Sequence, residues 1–256
     1  MAVDEALVRS VAQGAQPAFR VYAWQPPAIS FGYSQRISRE IDIPKVRKRG
    51  IDIVRRTTGG RAVLHWNELT YSVVCAADDP IMGGNINEAY EKISEGLMAG
   101  LHLLGIEVTF ESGRKPQPSP RGKELTSPCF TSTAQYEVTL KGRKLIGSAQ
   151  QRIGTMLLQH GSLLLGPGHK QIVDLLPSDK PGLQKRFQRE LDRHTISLSE
   201  VNTSIDFKTM ATALQTGIQN TFDIDLIPDT LSKIETTETQ RLMREKYATD
   251  EWNYKH

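Results

Sequence analysis

Cys129 stands in the run Ser127-Pro128-Cys129-Phe130, at the end of a stretch rich in Pro, Ser, Gly and Lys. A thiolate there could act as a nucleophile, because Pro128 fixes the approach and the polar residues upstream place it at a loop tip. Taken alone, a free cysteine is more often a small buried hydrophobe. The other cysteine, Cys75, alternates with Leu69, Tyr71 and Val73 on one face of an apolar run, and a structural role is the stronger reading for it. Lys144 follows the tight-turn pair Lys141-Gly142 and in isolation reads as a solvated residue at a hairpin end. Strict alternation puts it on the face of Ile146, Ser148 and Gln150, opposite Leu145, Gly147 and Ala149. Gly147, Ser148 and Ala149 are all small, which lets backbone or ligand approach closely. A lysine reaching into such a site would hold a cysteine as thiolate and polarise a carbonyl oxygen without itself attacking.

Arg55, Arg56, Gly59, Gly60 and Arg61 form a basic, glycine-bearing turn between two apolar runs. Such a turn can present backbone N–H groups and guanidinium forks to an anion, although a solvated basic loop is the commoner outcome. It lacks the Walker spacing, and no GxGxxG occurs. His65 and His160 each end or interrupt an apolar run, where a histidine is more often a satisfied structural group than a base. No Cys/His/Asp cluster has metal-ligand spacing and no GxSxG elbow is present, so no metal is expected.

The elements that would position these residues follow from periodicity and punctuation. The chain opens as a helix with Ala2, Ala6, Leu7 and Val11 on one face. Residues 19–24 and 28–33 read as two adjacent strands interrupted by Pro26-Pro27, residues 43–49 as a short basic helix ending at Gly50, and residues 51–54 as a strand running into Arg55-Arg56. Strands are expected over 62–64 and 69–76. Asn87-Glu88 opens the clearest helix, in which Ala89, Ile93, Leu97 and Leu101 recur before Gly105 stops it. A strand over 108–110 precedes a loop over 111–127, long enough to suggest function. Three further strands cover 135–140, 144–152 and 156–165; from Ile172 the pattern turns helical, most clearly over 207–221 and 231–247. Strands first and helices last predict an α+β fold with mixed central sheets flanked by helices. One domain over 1–256 is expected, with a catalytic core over about 1–180 and a small helical C-terminal region over about 181–256.

Composition excludes several classes. Hydrophobic residues make up 38% and charged residues 24%, which is ordinary for a packed domain and unlike a disordered or collagenous chain. A net charge of +3 gives no case for nucleic acid and leaves weak attraction to an acidic partner. No run approaches the roughly 18 apolar residues of a membrane span. Two cysteines make no disulfide scaffold, so a reducing cytoplasm is expected. The opening helix has no Ser, Thr or Asn before it, which raises the expectation of an internal start.

Read together, the segments resemble the lipoate-protein ligase A and octanoyltransferase superfamily, whose fold is shared by the biotin protein ligases. The resemblance lies in Val54-Arg-Arg-Thr-Thr-Gly-Gly-Arg-Ala-Val-Leu-His65 with Glu68-Leu-Thr-Tyr-Ser-Val73, and in Gly142-Arg-Lys-Leu-Ile-Gly-Ser-Ala-Gln150 with Leu158-Gln-His-Gly-Ser-Leu-Leu164. With Tyr247-Ala-Thr-Asp-Glu-Trp-Asn-Tyr254 it spans nearly the whole chain, although family members usually carry a short strand and loop before the opening helix. Within the superfamily the sequence is most similar to the cysteine-dependent octanoyltransferases: Arg61 stands where ATP-using ligases usually have a third glycine, and Cys129 precedes the KxxGSA strand. The resemblance implies that Cys129 takes octanoyl from octanoyl-acyl carrier protein as a thioester. A lysine of an apo lipoyl domain, such as that of the glycine cleavage H protein, then receives it. It also implies that Lys144 stabilises thiolate and oxyanion, with no cofactor and no ATP. Arg55, Arg56, Gly59, Gly60, Arg61, His65, Gly147, Ser148, Ala149, His160 and Gly161 would line the substrate pocket. The alternative is an ATP-dependent lipoate or octanoate ligase.

Overall fold

The computed structural model describes residues 1–112, 136–177, 182–201 and 205–255. Its first element, helix α1 (Ala2–Ala12), buries Leu7, Val8 and Val11, and also Asp4 and Glu5, two acids on its inward side. Strands β1 (Ala18–Tyr22) and β2 (Ala28–Phe31) flank Pro26-Pro27. They are neighbours in sequence but not in a sheet, because two successive residues without N–H donors cannot continue a ladder and the chain turns from one sheet to another. After the single turn α2 (Ile37–Glu40), helix α3 (Ile43–Lys48) starts where the Asp42 side chain accepts the Lys45 N–H at 3.2 Å.

Strands β3 (Asp52–Arg55) and β4 (Val63–His65) flank β2, parallel and antiparallel respectively, to make a three-stranded mixed sheet. Strand β5 (Glu68–Ala76) begins a larger one. Helix α4 (Ile86–Leu103) opens slightly earlier than its apolar repeat suggests. Asn85 accepts from Asn87 and Glu88, and Glu88 reaches back to the Asn85 N–H in a capping box.

Strands β6 (Thr109–Ser112), β7 (Tyr136–Leu140), β8 (Arg143–Ile153) and β9 (Met156–Leu164) complete a six-stranded sheet in the order β1-β5-β9-β8-β7-β6. Every neighbouring pair in it is antiparallel, so only the small sheet is mixed. Lys141 and Gly142, both at positive φ, close the β7–β8 hairpin. The segment carrying Cys129 lies outside the described residues.

The expected helical part begins as a 3₁₀ segment (Pro167–Leu175), followed by α5 (Leu183–His194), α6 (Phe207–Phe222), α7 (Lys233–Leu242) and α8 (Asp250–Asn253). These helices join the core: α6 packs along α4, and α7 along α1. One face of the large sheet carries Leu69, Tyr71, Val73, Cys75, Ile146, Leu157 and Leu163 into the main apolar core with Ile93, Leu97 and Leu101 of α4. The opposite face carries Val74, Met156 and Leu158 against Leu7, Val8 and Val11 of α1, beside a group of buried polar side chains. Among the described residues no helix is long and apolar enough to cross a membrane.

Candidate active site

The position of Lys144 is set by a β-bulge. Along β8 the residue opposite Val138 is Ile146, whereas the residue opposite the next position, Thr139, is Lys144. Two residues of β8 thus span one step of β7, and the alternation that carries Ile146 into the core places Lys144 on the other face, with Thr139 and Glu137. The side chains agree: Lys144 Nζ donates to Glu137 Oε1 at 2.7 Å, and Lys144 is only 6% exposed. A buried ammonium needs such a partner, since an unpaired charge out of water is strongly disfavoured. The bulge overturns strict alternation, which groups Lys144 with Ser148. Ser148 lies on the core-facing side, where its hydroxyl meets the Tyr71 hydroxyl at 2.7 Å. Gly147 and Ala149 share the face of Lys144.

Further along that face, Ala149 stands opposite His160 on β9. His160 Nε2 meets Thr58 Oγ1 at 2.8 Å, which fastens the turn after Arg56 to the large sheet. Behind the ring, Asp4 of α1 sits 3.6 Å from Nδ1. Asp4 is 1% exposed and accepts from Arg20 Nη1 at 2.8 Å and Ser72 Oγ at 3.0 Å. Burial opposes its ionisation, but the terminal ammonium, His160 and Arg20 outweigh that and hold the carboxyl well below the usual carboxylate range. Burial pushes the His160 pKa down, only partly countered by Asp4, so the imidazole is neutral near pH 7.

A second polar chain joins the two sheets. His65 Nδ1 lies 2.7 Å from Glu68 Oε1, which also accepts from Thr70 Oγ1 at 2.6 Å and Ser162 Oγ at 2.9 Å. Nε2 of the same ring meets Ser30 Oγ at 2.7 Å, and Trp24 stacks on the ring with centroids 4.4 Å apart. Ser30 Oγ also accepts from Arg56 Nη1 at 3.0 Å, which leaves its own proton to point at His65 Nε2.

The neighbouring arginines of the basic turn do different work. Arg56 donates to the carbonyls of Ser30, Gly59 and Arg61 at 2.7–3.2 Å, folding the turn around its own guanidinium. Gly60 sits at φ +97°, where a Cβ would lie 2.8 Å from Arg56 Nη2; this glycine is required by the turn itself. A Cβ on Gly59 would meet nothing within 4 Å. Arg55 is 0% exposed and directs its donors at the carbonyls of Gly32, Tyr33, Gln35, Trp252, Asn253 and Lys255. The sequence reading places Arg55 beside substrate; the structure gives its guanidinium to the backbone, tying the C-terminal turn to β3. Gly161 is likewise explained by packing, because a Cβ there would lie 2.6 Å from the Tyr71 ring and 2.7 Å from the Gly147 carbonyl.

The structure therefore brings Lys144, Gly147, Ala149 and His160 to one sheet face, whose His160 end is met by Asp4 of α1 and by Thr58 of the turn holding Arg56, Gly59, Gly60 and Arg61, with His65 at the seam. Asp4, Thr58, Glu68 and Glu137 complete this polar assembly and were missed from sequence. Asp4 had a legible signal: it lies at helical spacing from Val8 and Val11, an acid within an apolar stripe. Cys75 sits in the main core, where burial, helped by Asp79, pushes its thiol up to about 12. Among the described residues no three His, Cys, Asp or Glu side chains are placed to hold a metal ion.

The chain belongs to the family of the lipoyl protein ligase A/B catalytic domain, whose model matches residues 1–219. It is 40% identical over 263 residues to Octanoyltransferase LipM of Kyrpidia tusciae and 36% identical over 261 residues to that of Geobacillus kaustophilus. Each alignment covers 100% of this chain and 93% of the relative. Among solved structures, a putative lipoate protein ligase from T. acidophilum superposes with a TM-score of 0.77 at 25% identity, covering 99% of this chain and 91% of that one.

Proposed function

We propose that the protein is an octanoyltransferase of lipoate biosynthesis, moving octanoyl from octanoyl-acyl carrier protein to a lysine of an apo lipoyl domain such as the glycine cleavage H protein. The full-length likeness to proteins named octanoyltransferase carries this reading, and the placement of Lys144 supplies its chemistry. In the first half, the Cys129 thiolate attacks the donor thioester carbonyl; the new C–S bond forms as the old one breaks, and the carrier thiolate leaves and takes up a proton. In the second half, the acceptor amine attacks the carbonyl on Cys129, loses a proton and becomes an amide as the cysteine thiolate departs. One thioester replaces another in the first half, so no ATP enters.

Lys144 is the second residue of β8, just past the hairpin turn, with Glu137 fixing its ammonium. From there it stabilises the negative charge that moves from thiolate to oxyanion in each half. Gly147 and Ala149 leave room for the acyl chain on the same face, and each methylene buried there contributes about 0.8 kcal/mol. The enzyme works in the cytoplasm on these two protein partners.

The test is to supply octanoyl-acyl carrier protein and apo H protein without ATP. Octanoylated H protein, together with an octanoyl adduct on Cys129 that Cys129→Ser abolishes, is the expected result. Conversion of ATP to AMP and pyrophosphate with free octanoate, and no turnover without ATP, would replace this reading with an ATP-dependent ligase.

A further inference from the structure

Helix α5 carries a charge pattern that the site does not use. Its buried stripe is Leu183, Phe187 and Leu191. Across the helix from that stripe, Lys185, Arg189 and Arg193 recur at four-residue spacing with Arg186 beside them, and all four are exposed. Among the described residues none of the four makes an ion pair, although two acids lie on the same helix. Those acids are taken elsewhere: Asp192 pairs with Lys170 at 2.9 Å and Glu190 with His194 at 3.3 Å. Like charges at this spacing destabilise a helix, so the fold maintains a cationic stripe against a local penalty. A surface cleft of about 560 Å³ runs along it, lined by Arg186, Arg189, Glu190, Asp192 and Arg193.

The stripe is attached to the site. Thr195, the residue after α5, bridges to Lys144, and the Ile196 N–H donates to the Lys144 carbonyl at 3.1 Å. Arg193 lies two residues before that bridge, and at 1.5 Å per residue Lys185 lies about 12 Å further along the axis. A docking surface that starts beside Lys144 and runs away from it suits a partner whose reactive group projects on a long arm. It does not suit one that presents a single side chain, which must dock at the site itself.

We propose that the Lys185–Arg186–Arg189–Arg193 face of α5 docks an acidic surface of the thioester-bearing carrier protein, guiding its acyl arm toward Lys144. This rests on the donor assigned above. Complementary charge of this kind raises association rate and is screened by salt.

The test compares wild-type enzyme with the double reversal Arg189→Glu/Arg193→Glu and with the conservative Arg189→Lys/Arg193→Lys, each checked for an unchanged melting temperature. The expected result is a KM for octanoyl-acyl carrier protein raised at least tenfold in the reversal and restored by the lysines. Acylation by the small donor octanoyl-pantetheine and transfer to apo H protein should stay unchanged. Equal loss with both donors, no loss with either, or a loss confined to the acceptor half would overturn the docking assignment. If neither donor acylates the wild type, it is the octanoyltransferase reading that fails. Direct titration of octanoyl-acyl carrier protein then decides the surface: salt-sensitive binding lost in the reversal supports it, and equal binding by both enzymes overturns it.

Discussion

The two faces of the large sheet solve opposite problems. On the core side, Tyr71, Ser148, Gln150 and Gln159 form a neutral polar row: Gln159 donates to the Tyr71 hydroxyl at 3.0 Å and accepts from Gln150 at 2.9 Å. Burial pushes the Tyr71 phenol up to about 12, so no charge lies in that row near neutral pH. On the other side Asp4, Lys144 and Glu137 are buried groups of the ionisable kind, each held by a partner, with neutral His160 among them. A sheet face with hydrogen-bonded neutral groups holds the core together; one with buried, partnered charge is where proton and acyl chemistry can be run.

The largest effect should come from removing the charge that the bulge delivers. Lys144→Met is expected to slow acylation of Cys129 by about 10²–10³, the cost of losing one preorganised oxyanion donor. It also removes the ammonium that pairs with the buried Glu137, which lowers stability. The double variant Lys144→Met/Glu137→Gln separates the two: thermal unfolding should recover most of the stability while the acylation rate stays low. Recovery of rate in the double variant would show that Lys144 acts through packing.

The next effect is on pH. His169 Nε2 donates to Thr195 Oγ1 at 2.9 Å, whose own proton goes to the Leu191 carbonyl at 2.7 Å, fixing a neutral ring beneath the residue that bridges to Lys144. Burial, helped by Lys170, lowers its pKa to about 4 from an unfolded value of 6.5. The unfolded chain therefore binds the extra proton first. Stability is complete above about pH 6.5 and falls as pH drops toward 4, by on the order of 3 kcal/mol for a shift of this size. Denaturant titrations at pH 7.5 and 5.0 should show this slope, and His169→Gln should flatten it; His160, also lowered by burial, adds in the same direction.

Much of this architecture was legible and some of it could not be. Glu88, Gly105 and the Lys141-Gly142 turn marked element ends through local chemistry, although the cap of α4 is Asn85 and not Asn87, and the alternation in residues 69–76 assigned Cys75 to the core correctly. The bulge was invisible, because one inserted residue leaves composition unchanged while it transfers every later side chain to the other face. The work of Arg55 was equally hidden: its acceptors at Trp252, Asn253 and Lys255 are about 200 positions away, and nothing local distinguishes it from Arg56. The separation of β1 from β2 depended on which sheet each met, a tertiary choice that two prolines permit but do not specify.

A smaller effect tests the core side directly. Gly161→Ala places a methyl within 2.6–2.7 Å of the Tyr71 ring, the Gly147 carbonyl and the Ser148 hydroxyl, and overpacking of this kind costs about 1–3 kcal/mol. The melting temperature should fall accordingly, with the KM for octanoyl-pantetheine altered little, because the clash lies on the face away from Lys144.

The smallest effect is the sharpest divider of the two faces. Ser148 and Ala149 are adjacent, and the resemblance assigns both to the pocket, but the register sends them to opposite sides of β8. Ser148→Ala removes one hydrogen bond from the Tyr71 row and should cost about 1 kcal/mol of stability, leaving the acylation rate within about twofold of wild type. Ala149→Leu adds bulk beside His160 and should raise the KM for octanoyl-pantetheine while leaving the Tyr71 row intact. The opposite outcome, with Ser148→Ala impairing acylation and Ala149→Leu tolerated, would mean that the acyl chain enters from the α4 side and that the bulge carries Lys144 away from the substrate.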